Sequence, residues 1–434
     1  MIKKGNIIIP KEAFYIIDTL NNNNYEAYLV GGCVRDYLIL KKPSDWDIAT
    51  NAKPSDIKAL FIKTIDTGIK HNTITVVLNK KNFEVTTFKN SLCIEDDLSY
   101  RDFTINAIAY HPDKGFIDPF FGVQDIKNSI IRCVGKTSDR FREDPLRLLR
   151  AVRLSSTLGF QIDNDLVTSI HHNCNLIKNV SAERIRDELT KILTSDRPMN
   201  FIVLHETGLL KNILPEFDLS FEISQNHPYH LYNVAMHSLH TVSHIENISY
   251  LRWTMLLHDT GKCFTKTTDE KGIDHFYGHS EQSVDISKKV LQRLKFDNKT
   301  INKVCTLVKH HDRTIQPNYK SIRKAINTVG EEIFLDLLKV QKADKRGQNP
   351  AFLHDRIDKS NKIIEIYHDI IEKKHCLRLQ DLNINGNDLK KLGYTQGKEI
   401  GIILSNLLKE VIENPQLNKK EMLLKMLPHK IPTN

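Results

Sequence analysis

The chain has 434 residues, 40% of them hydrophobic, which is enough for two to four domains with cores of their own. A net charge of +9 favours a polyanionic partner, and no apolar run is long enough to span a bilayer, which excludes a membrane-spanning helix. Seven scattered cysteines (Cys33, Cys93, Cys133, Cys174, Cys263, Cys305, Cys376) without a Cys-x-x-Cys pair exclude a disulfide framework and a zinc ribbon; with no signal segment at residues 1–9, a soluble protein of the reducing cytoplasm is expected.

Residues 1–27 read as a lead helix opened by Pro10, with Ala13, Ile16, Ile17 and Leu20 on one face and Asn21 to Asn24 as its stop. Tyr28, Leu29 and Val30 end a buried strand. Gly31-Gly32 then makes a turn where backbone can approach a ligand closely, and the spacing of residues 34–40 is that of a helix starting there. A helix start after paired glycines offers N–H groups to an anion, and Arg35 adds a charged fork for phosphate oxygens. Asp45 and Asp47 follow, with residues 48–50 continuing as strand. Side chains two apart on a strand share a face, so the two carboxylates converge, and hard oxygen ligands of this kind suit Mg²⁺ bridging the phosphates of a nucleotide. Asp-x-Asp alone also describes a solvated strand end. The glycine turn just upstream is what gives the pair a polyphosphate to act on.

The stretch LVGGCVRD followed by DWDIAT resembles the head-domain signature of class II tRNA nucleotidyltransferases, which build the CCA 3′ end of tRNA, and of their bacterial poly(A) polymerase relatives. The resemblance implies an α+β fold. A small N-terminal mixed sheet of the polymerase-beta-like nucleotidyltransferase type, with helices, would be followed by an elongated all-helical region that includes an HD-type bundle.

A short helix is predicted over 53–61, then two strands, 73–78 and 83–88, joined by a polar turn at 79–82. Glu84 on the second strand reads equally as a third carboxylate beside Asp45 and Asp47 and as an exposed strand residue. The segment around Arg101-Asp-Phe-Thr-Ile-Asn106-Ala resembles the second family motif. That makes Arg101, ahead of a predicted apolar helix, a candidate for the incoming nucleotide's phosphate or ribose. Asp118-Pro-Phe-Phe-Gly-Val-Gln-Asp125 resembles the turn that links head and neck in the family.

In residues 138–160, Asp144 before Pro145 reads as a helix N-cap, and Arg147, Arg150 and Arg153 recur once per turn. Cytosine and adenine share an amine donor beside a ring-nitrogen acceptor, a pattern that uracil and guanine invert. A carboxylate and a guanidinium fixed side by side, Asp144 and Arg147, would admit C or A and reject U and G without a nucleic-acid template. The resemblance implies the same, since Glu143-Asp144-x-x-Arg147 matches the family's E-D-x-x-R motif, and Arg150 and Arg153 align with residues that hold the triphosphate or shape the pocket. Ser181-Ala-Glu-Arg-Ile-Arg-Asp-Glu-Leu resembles the last, helix-stabilising motif, in which Glu183, Arg184 and Arg186 read as structural.

From about residue 200 the pattern is almost wholly helical. His237, His258-Asp259, His279, His310-His311 and Asp344 form a separate constellation. The order H…HD…D, with Gly261-Lys262, resembles the HD domain, in which His237, His258, Asp259 and Asp344 would bind a second divalent metal for phosphohydrolysis. In nucleotidyltransferases the same module also serves as a scaffold that holds tRNA. The expected domains are a catalytic head (1–137), a base-reading neck (138–225), the HD-type domain (226–350) and a basic helical tail (351–434) with an amphipathic helix over 402–411, which in the family grips tRNA.

Only twelve residues, 89–100, separate the second strand from Arg101. Most CCA-adding enzymes resemble one another in carrying a longer, mobile, charged loop there, and its loss is associated with enzymes that add the two C residues and cannot switch to A. A pocket that must reshape for the larger base needs a flexible lever. The expected function is therefore Mg²⁺-dependent addition of CC to tRNA from CTP, with a separate A-adding enzyme as partner; the alternative is full CCA addition from CTP and ATP. A poly(A) polymerase and an HD-centred phosphohydrolase are the remaining readings.

Overall fold

The computed structural model describes residues 8–68, 72–89, 93–352, 354–394 and 397–427. The chain forms two compact units, residues 1–213 and 214–434. Among the described residues, no helix is long and apolar enough to cross a membrane.

The first unit is built on a seven-stranded sheet in the order β3-β4-β5-β2-β1-β6-β7. Its strands are β1 (Ala27–Val30), β2 (Asp47–Thr50), β3 (Thr64–Gly68), β4 (Thr73–Leu78), β5 (Lys81–Thr87), β6 (Ala109–His111) and β7 (Gly115–Ile117). Only β2 and β5 pair in parallel; the other neighbours are antiparallel. The lead helix α1 (Lys11–Asn22) buries Ala13, Ile16, Ile17 and Leu20, as its spacing predicts. A cluster of Tyr28, Val30, Ala49, Phe88, Leu98 and Ala109 fills one face of the sheet. It seats α4 (Ile94–Ser99) there, after α2 (Gly32–Leu38) and α3 (Pro54–Leu60).

Three local expectations are corrected. The predicted hairpin is present, but its turn is the two residues Asn79 and Lys80, both with positive φ (51° and 62°), so β5 begins at Lys81. Such a turn matches the twist of its strands and draws residues 81–82 into the ladder. The residues after Arg101 do not form an apolar helix: Thr104–Asn106 is a single 3₁₀ turn leading into β6. Asp144 is not a helix N-cap; it ends α6 (Thr137–Glu143) with φ −147° and ψ 98°, because a residue before proline is pushed out of the helical region. Its carboxylate still accepts the Leu146 N–H at 3.2 Å, and α7 (Arg147–Leu158) starts one residue later.

The loop Asp118–Asp125 owes its residue types to α5 (Gly122–Asn128). Asp118 accepts the Gly122 and Val123 N–H groups at 2.7 and 2.9 Å, satisfying donors at the helix start. A Cβ on Gly122 would lie 2.1 Å from the Thr104 carbonyl oxygen, so only glycine allows that approach. Head and neck are joined within this unit by β8 (Ile130–Ile131) pairing in parallel with β9 (Gln161–Ile162), and α8 (Asn164–Asn173), α9 (Ala182–Leu193), α10 (Phe201–Glu206) and α11 (Leu209–Ile213) complete it.

The second unit is helical apart from the short pair Thr267–Thr268 and Asp274–His275, as expected. The helices Val234–Ser243, Ser249–Leu257, Asn298–His310 and Glu331–Arg346 bury Leu239, Trp253, Leu307 and Phe334. Towards the C-terminus the helix Gly397–Glu413 packs Ile403, Leu407 and Val411 against Leu382, Ile384 and Leu389 in a core of its own.

Candidate active site

β1 ends opposite the first residue of β2, Val30 against Asp47, so the chain must turn sharply beside a carboxylate. Gly31 makes that turn with φ +74° and ψ −132°. A Cβ on it would lie 3.0 Å from Arg101 Nη1 and 3.8 Å from Asp47 Oδ2. Gly32, the residue singled out by sequence, opens α2 and has Arg35 Nη2 as its near neighbour. The glycine that brings backbone, Arg101 and Asp47 together is therefore Gly31. Gly31→Ala is expected to add the strain of a backbone conformation that is nearly glycine-only, about 1–3 kcal/mol, and to displace Arg101; activity should fall while the melting temperature drops by only a few degrees.

Asp47 and Glu84 are directly opposed in the parallel register of β2 and β5, so their side chains stand on one face. Glu84 is both things the sequence allowed, an exposed strand residue and a neighbour of Asp47. Asp45 lies just before β2, exposed, with Oδ2 accepting the Ser44 hydroxyl at 2.9 Å, so strand alternation does not itself place it. Its charge nonetheless reaches Asp47. Burial, reinforced by Glu84 and Asp45 and opposed by Arg101, pushes the Asp47 carboxyl up to about 6. Three carboxylates gathered in this way are hard oxygen donors of the kind that suit a divalent cation.

Below about pH 6 Asp47 is protonated and cannot bind a cation, and divalent metal favours the charged form. The acid limb of kcat/KM is expected near pH 6 at low Mg²⁺, moving towards the ordinary carboxylate range as Mg²⁺ is raised. Profiles at two Mg²⁺ concentrations check this; an acid limb that does not move would contradict it.

The remaining predicted groups fall into one polar chain. Arg35 donates to Asn106 Oδ1 at 2.6 Å and to Asp36 Oδ1 at 2.6 Å. Asn106 donates to Asp102 Oδ1 at 3.1 Å, and Arg150 Nη2 lies 3.0 Å from Asp102 Oδ2. Arg150 and the bond from Asn106 outweigh burial and hold the Asp102 carboxyl below its usual range. Asp102 and Asn106, absent from the sequence candidates, thus tie the glycine turn to α7. Arg101 rests one guanidinium nitrogen on Asp97, 3.3 Å away, and its Nε is buried without a hydrogen-bond partner among the described residues.

The arginine stripe of α7 is not a solvated face. Arg147 is buried and donates to the carbonyls of Tyr100 (2.8 Å) and Arg140 (3.2 Å) and to Glu143 (3.2 Å). Arg153 Nε donates to Glu188 at 2.6 Å. Arg147 therefore reaches the backbone of the residue next to Arg101, whose own guanidinium lies over Gly31. The side chains of Asp144 and Arg147 do not bond each other, although the Arg147 backbone N–H donates to the Asp144 carbonyl at 3.1 Å. Asp144 is held by Arg184, 2.9 Å away on α9, which gives Arg184 a contact beyond the structural role its motif suggested.

In the second unit His237, His258, Asp259 and Asp344 do meet. His237 Nε2 lies 2.9 Å from Asp344 Oδ1 and 3.5 Å from Asp259 Oδ2, and His258 Nε2 lies 3.3 Å from Asp259 Oδ2 and 3.6 Å from Asp344 Oδ1. Lys262 Nζ sits 2.7 Å from Asp259 Oδ2. Burial of Asp259 and Asp344 is outweighed by these imidazoles, and at Asp259 also by the ammonium, so both carboxyls stay well below the usual range. The cluster opens on a cavity of about 410 Å³ lined by His230, Lys262, His279, His311, Arg313 and Lys345.

Comparison with known proteins covers nearly the whole chain. The family model described as the Poly A polymerase head domain matches residues 27–132, that of the RNA and SrmB-binding site of polymerase A matches 159–220, and that of tRNA nucleotidyltransferase domain 2 matches 264–427. The CCA-adding enzyme of Lactobacillus johnsonii is 30% identical over 417 residues, 92% of this chain and 92% of its own length. That of Lactiplantibacillus plantarum is 31% identical over 433 residues, 94% of this chain and 93% of its own. Among solved structures, the Bacillus stearothermophilus CCA-adding enzyme in complex with CTP superposes with a TM-score of 0.73 at 30% identity, over 96% of each chain.

Proposed function

The chain belongs to the family of the CCA-adding enzymes, and from that premise we propose that this tRNA nucleotidyltransferase adds C and C, but not the terminal A, to the 3′ end of tRNA, using CTP and releasing pyrophosphate. The observation that carries the C-only reading is the short connection from β5 to the second motif. Asp97 accepts the Lys89 backbone N–H at 3.0 Å and meets Arg101 at 3.3 Å, so the two ends of the segment are pinned to one carboxylate; residues 90–92 lie outside the described residues. A pocket tied down in this way has no lever to open for adenine. A separate A-adding enzyme would then finish the tRNA. Full CCA addition is the second reading, favoured by the names of the relatives.

In the reaction the tRNA 3′-hydroxyl oxygen attacks the α-phosphorus of CTP and the bond to the leaving pyrophosphate breaks. Asp45 and Asp47, with Glu84 beside them, are the groups that would hold Mg²⁺, which when bound supplies charge for the hydroxyl and the triphosphate. Gly32 and Arg35 line the phosphate turn, and Arg101 aims at the sugar-phosphate from over Gly31. Asp144 accepts from the cytosine amine once Arg184 yields it, and Arg147 donates to the ring nitrogen. Arg150 and Arg153 hold α7 in place. The four-part division (1–137, 138–225, 226–350, 351–434) is kept as a functional division, although the neck, 138–225, runs past the boundary between the two units at 213/214, with the last part gripping tRNA. Seven free cysteines suit the reducing cytoplasm.

The second unit supports a metal site of its own at His237, His258, Asp259 and Asp344, and the cavity above it, where Lys262, Arg313, Lys345 and Lys359 stand with Asp312, suits a phosphate ester. The functional test uses purified protein and tRNA lacking its 3′ end, with CTP alone, ATP alone and both. Growth by two residues with CTP, unchanged by ATP, is expected. A product ending in CCA would overturn the C-only reading, and unlimited A addition would point to a poly(A) polymerase.

A further inference from the structure

The end of α2 is strained at Leu40. The Leu40 N–H donates to the Tyr37 carbonyl at 3.0 Å and the Lys41 N–H to the Asp36 carbonyl at 2.8 Å, a closing turn that holds Leu40 in the left-handed region at φ +59°. Glycine or asparagine is the usual residue there, because a side chain strains the turn. The leucine is 95% exposed, so burial within the fold does not offset that strain.

Beside the turn lies a cavity of about 500 Å³, lined by Ile8, Tyr37, Leu40, Lys41, Lys42 and Trp46 among others. Of the two tryptophans in the chain, Trp253 is fully buried in the second unit, whereas Trp46 is half-buried against this cavity. Lys41 and Lys42 are exposed and form no ion pair among the described residues. Aromatic faces beside free ammonium groups suit a nucleic-acid single strand, since every base offers a π face to stack and lysine is a point charge for phosphate. A purely apolar occupant would leave both ammonium groups without a counter-charge. The position selects the strand. Trp46 stands between Asp45 and Asp47, its Cα about 3.8 Å from each of theirs, and the strand that must reach those carboxylates is the one whose 3′ hydroxyl is extended.

We propose that this cavity seats the single-stranded 3′ end of the tRNA: a base of the growing strand stacks on Trp46 and Tyr37, with Leu40 at the rim, and Lys41 and Lys42 take the adjoining phosphates. Trp46 is then a positioning residue that brings the 3′ hydroxyl to Asp45 and Asp47. This rests on the nucleotidyltransferase reading and is independent of whether A is added.

The test uses the full chain and tRNA lacking its 3′ end. Trp46→Ala is expected to raise KM for tRNA by about 10- to 100-fold, the worth of one stacked base, with KM for CTP unchanged, and Trp46→Phe to recover most of the loss. Lys41→Gln with Lys42→Gln should lower the slope of log affinity against log salt by about 0.7 per phosphate released. Leu40→Gly should melt higher than the natural chain and bind tRNA more weakly. Binding is also read without transfer: the tRNA should quench tryptophan emission, and Trp46→Phe, which leaves only buried Trp253, should abolish the quench. An unchanged KM for tRNA in Trp46→Ala overturns the proposal, as does a rise confined to KM for CTP. Should Trp46→Ala fail to fold, an unchanged salt slope in the exposed lysine variant overturns it instead. A self-association lost in Leu40→Gly with tRNA binding intact would assign the cavity to a second copy and overturn it too. Quenching by tRNA without any nucleotide transfer would sink the nucleotidyltransferase reading and leave the RNA seat standing.

Discussion

Asp47→Ala is expected to abolish CMP transfer, lowering kcat/KM by at least about 10³-fold, or about 4 kcal/mol of transition-state stabilisation, while Asp259→Ala leaves transfer near the wild-type rate. Asp47 is where the effect should be largest. It is the inner carboxylate of the three, paired in register with Glu84 and reached by Arg101, and its raised affinity for a proton marks it as the group with the most to gain from a cation. Asp45 is exposed and Glu84 is exposed, so each can be partly replaced by water. Asp47→Asn keeps the shape and removes the charge; it should be nearly as inactive, with its melting temperature unchanged or raised, since the variant no longer buries a charge among acids. Single-turnover incorporation of labelled CTP on tRNA lacking its 3′ end checks both. Loss of transfer in Asp259→Ala and its survival in Asp47→Ala would move the chemistry to the helical unit.

Asp144→Ala is expected to lower discrimination between CTP and UTP by about 10- to 100-fold, the worth of one charge-assisted hydrogen bond from a half-buried carboxylate to a base edge, with a smaller effect on total turnover. Arg147 is the less clean probe. Its guanidinium closes the carbonyls of Tyr100 and Arg140 as well as pairing Glu143, so Arg147→Ala should also cost about 2–4 kcal/mol of stability. Asp144 carries no such load beyond the Leu146 N–H and Arg184. The ratio of kcat/KM values for the two nucleotides, measured on the same tRNA, reads the effect; an unchanged ratio in Asp144→Ala would assign base choice elsewhere.

Local signals carried most of what was legible in the sequence. The apolar face of α1, the paired glycines, Asp47 with its strand and the helical second unit are each written in spacing over a few residues. What was missed is non-local or too short for a period. β6 and β7 have three residues each, too few to show alternation. Gly31 and Gly32 are indistinguishable until the backbone shows which one carries a positive φ. The arginines of α7 look like a solvated stripe because two of their partners, Asp102 and Glu188, lie in distant segments; only Glu143, one turn upstream of Arg147, was within view. Arg184 reaches Asp144 from another helix, which no local pattern records. His279 and His311 stood in the histidine constellation, but their common focus on Asp259 Oδ1 exists only in three dimensions.

A crystal structure of the full chain with CTP and a non-reactive divalent metal measures the coupling of base reading to phosphate binding most directly. The cytosine amine should lie within hydrogen-bond distance of Asp144 and the ring nitrogen within that distance of Arg147, with the triphosphate over Gly31 and the metal on Asp45 and Asp47. A base seated away from Asp144 and Arg147, or a triphosphate away from Asp47, would contradict it.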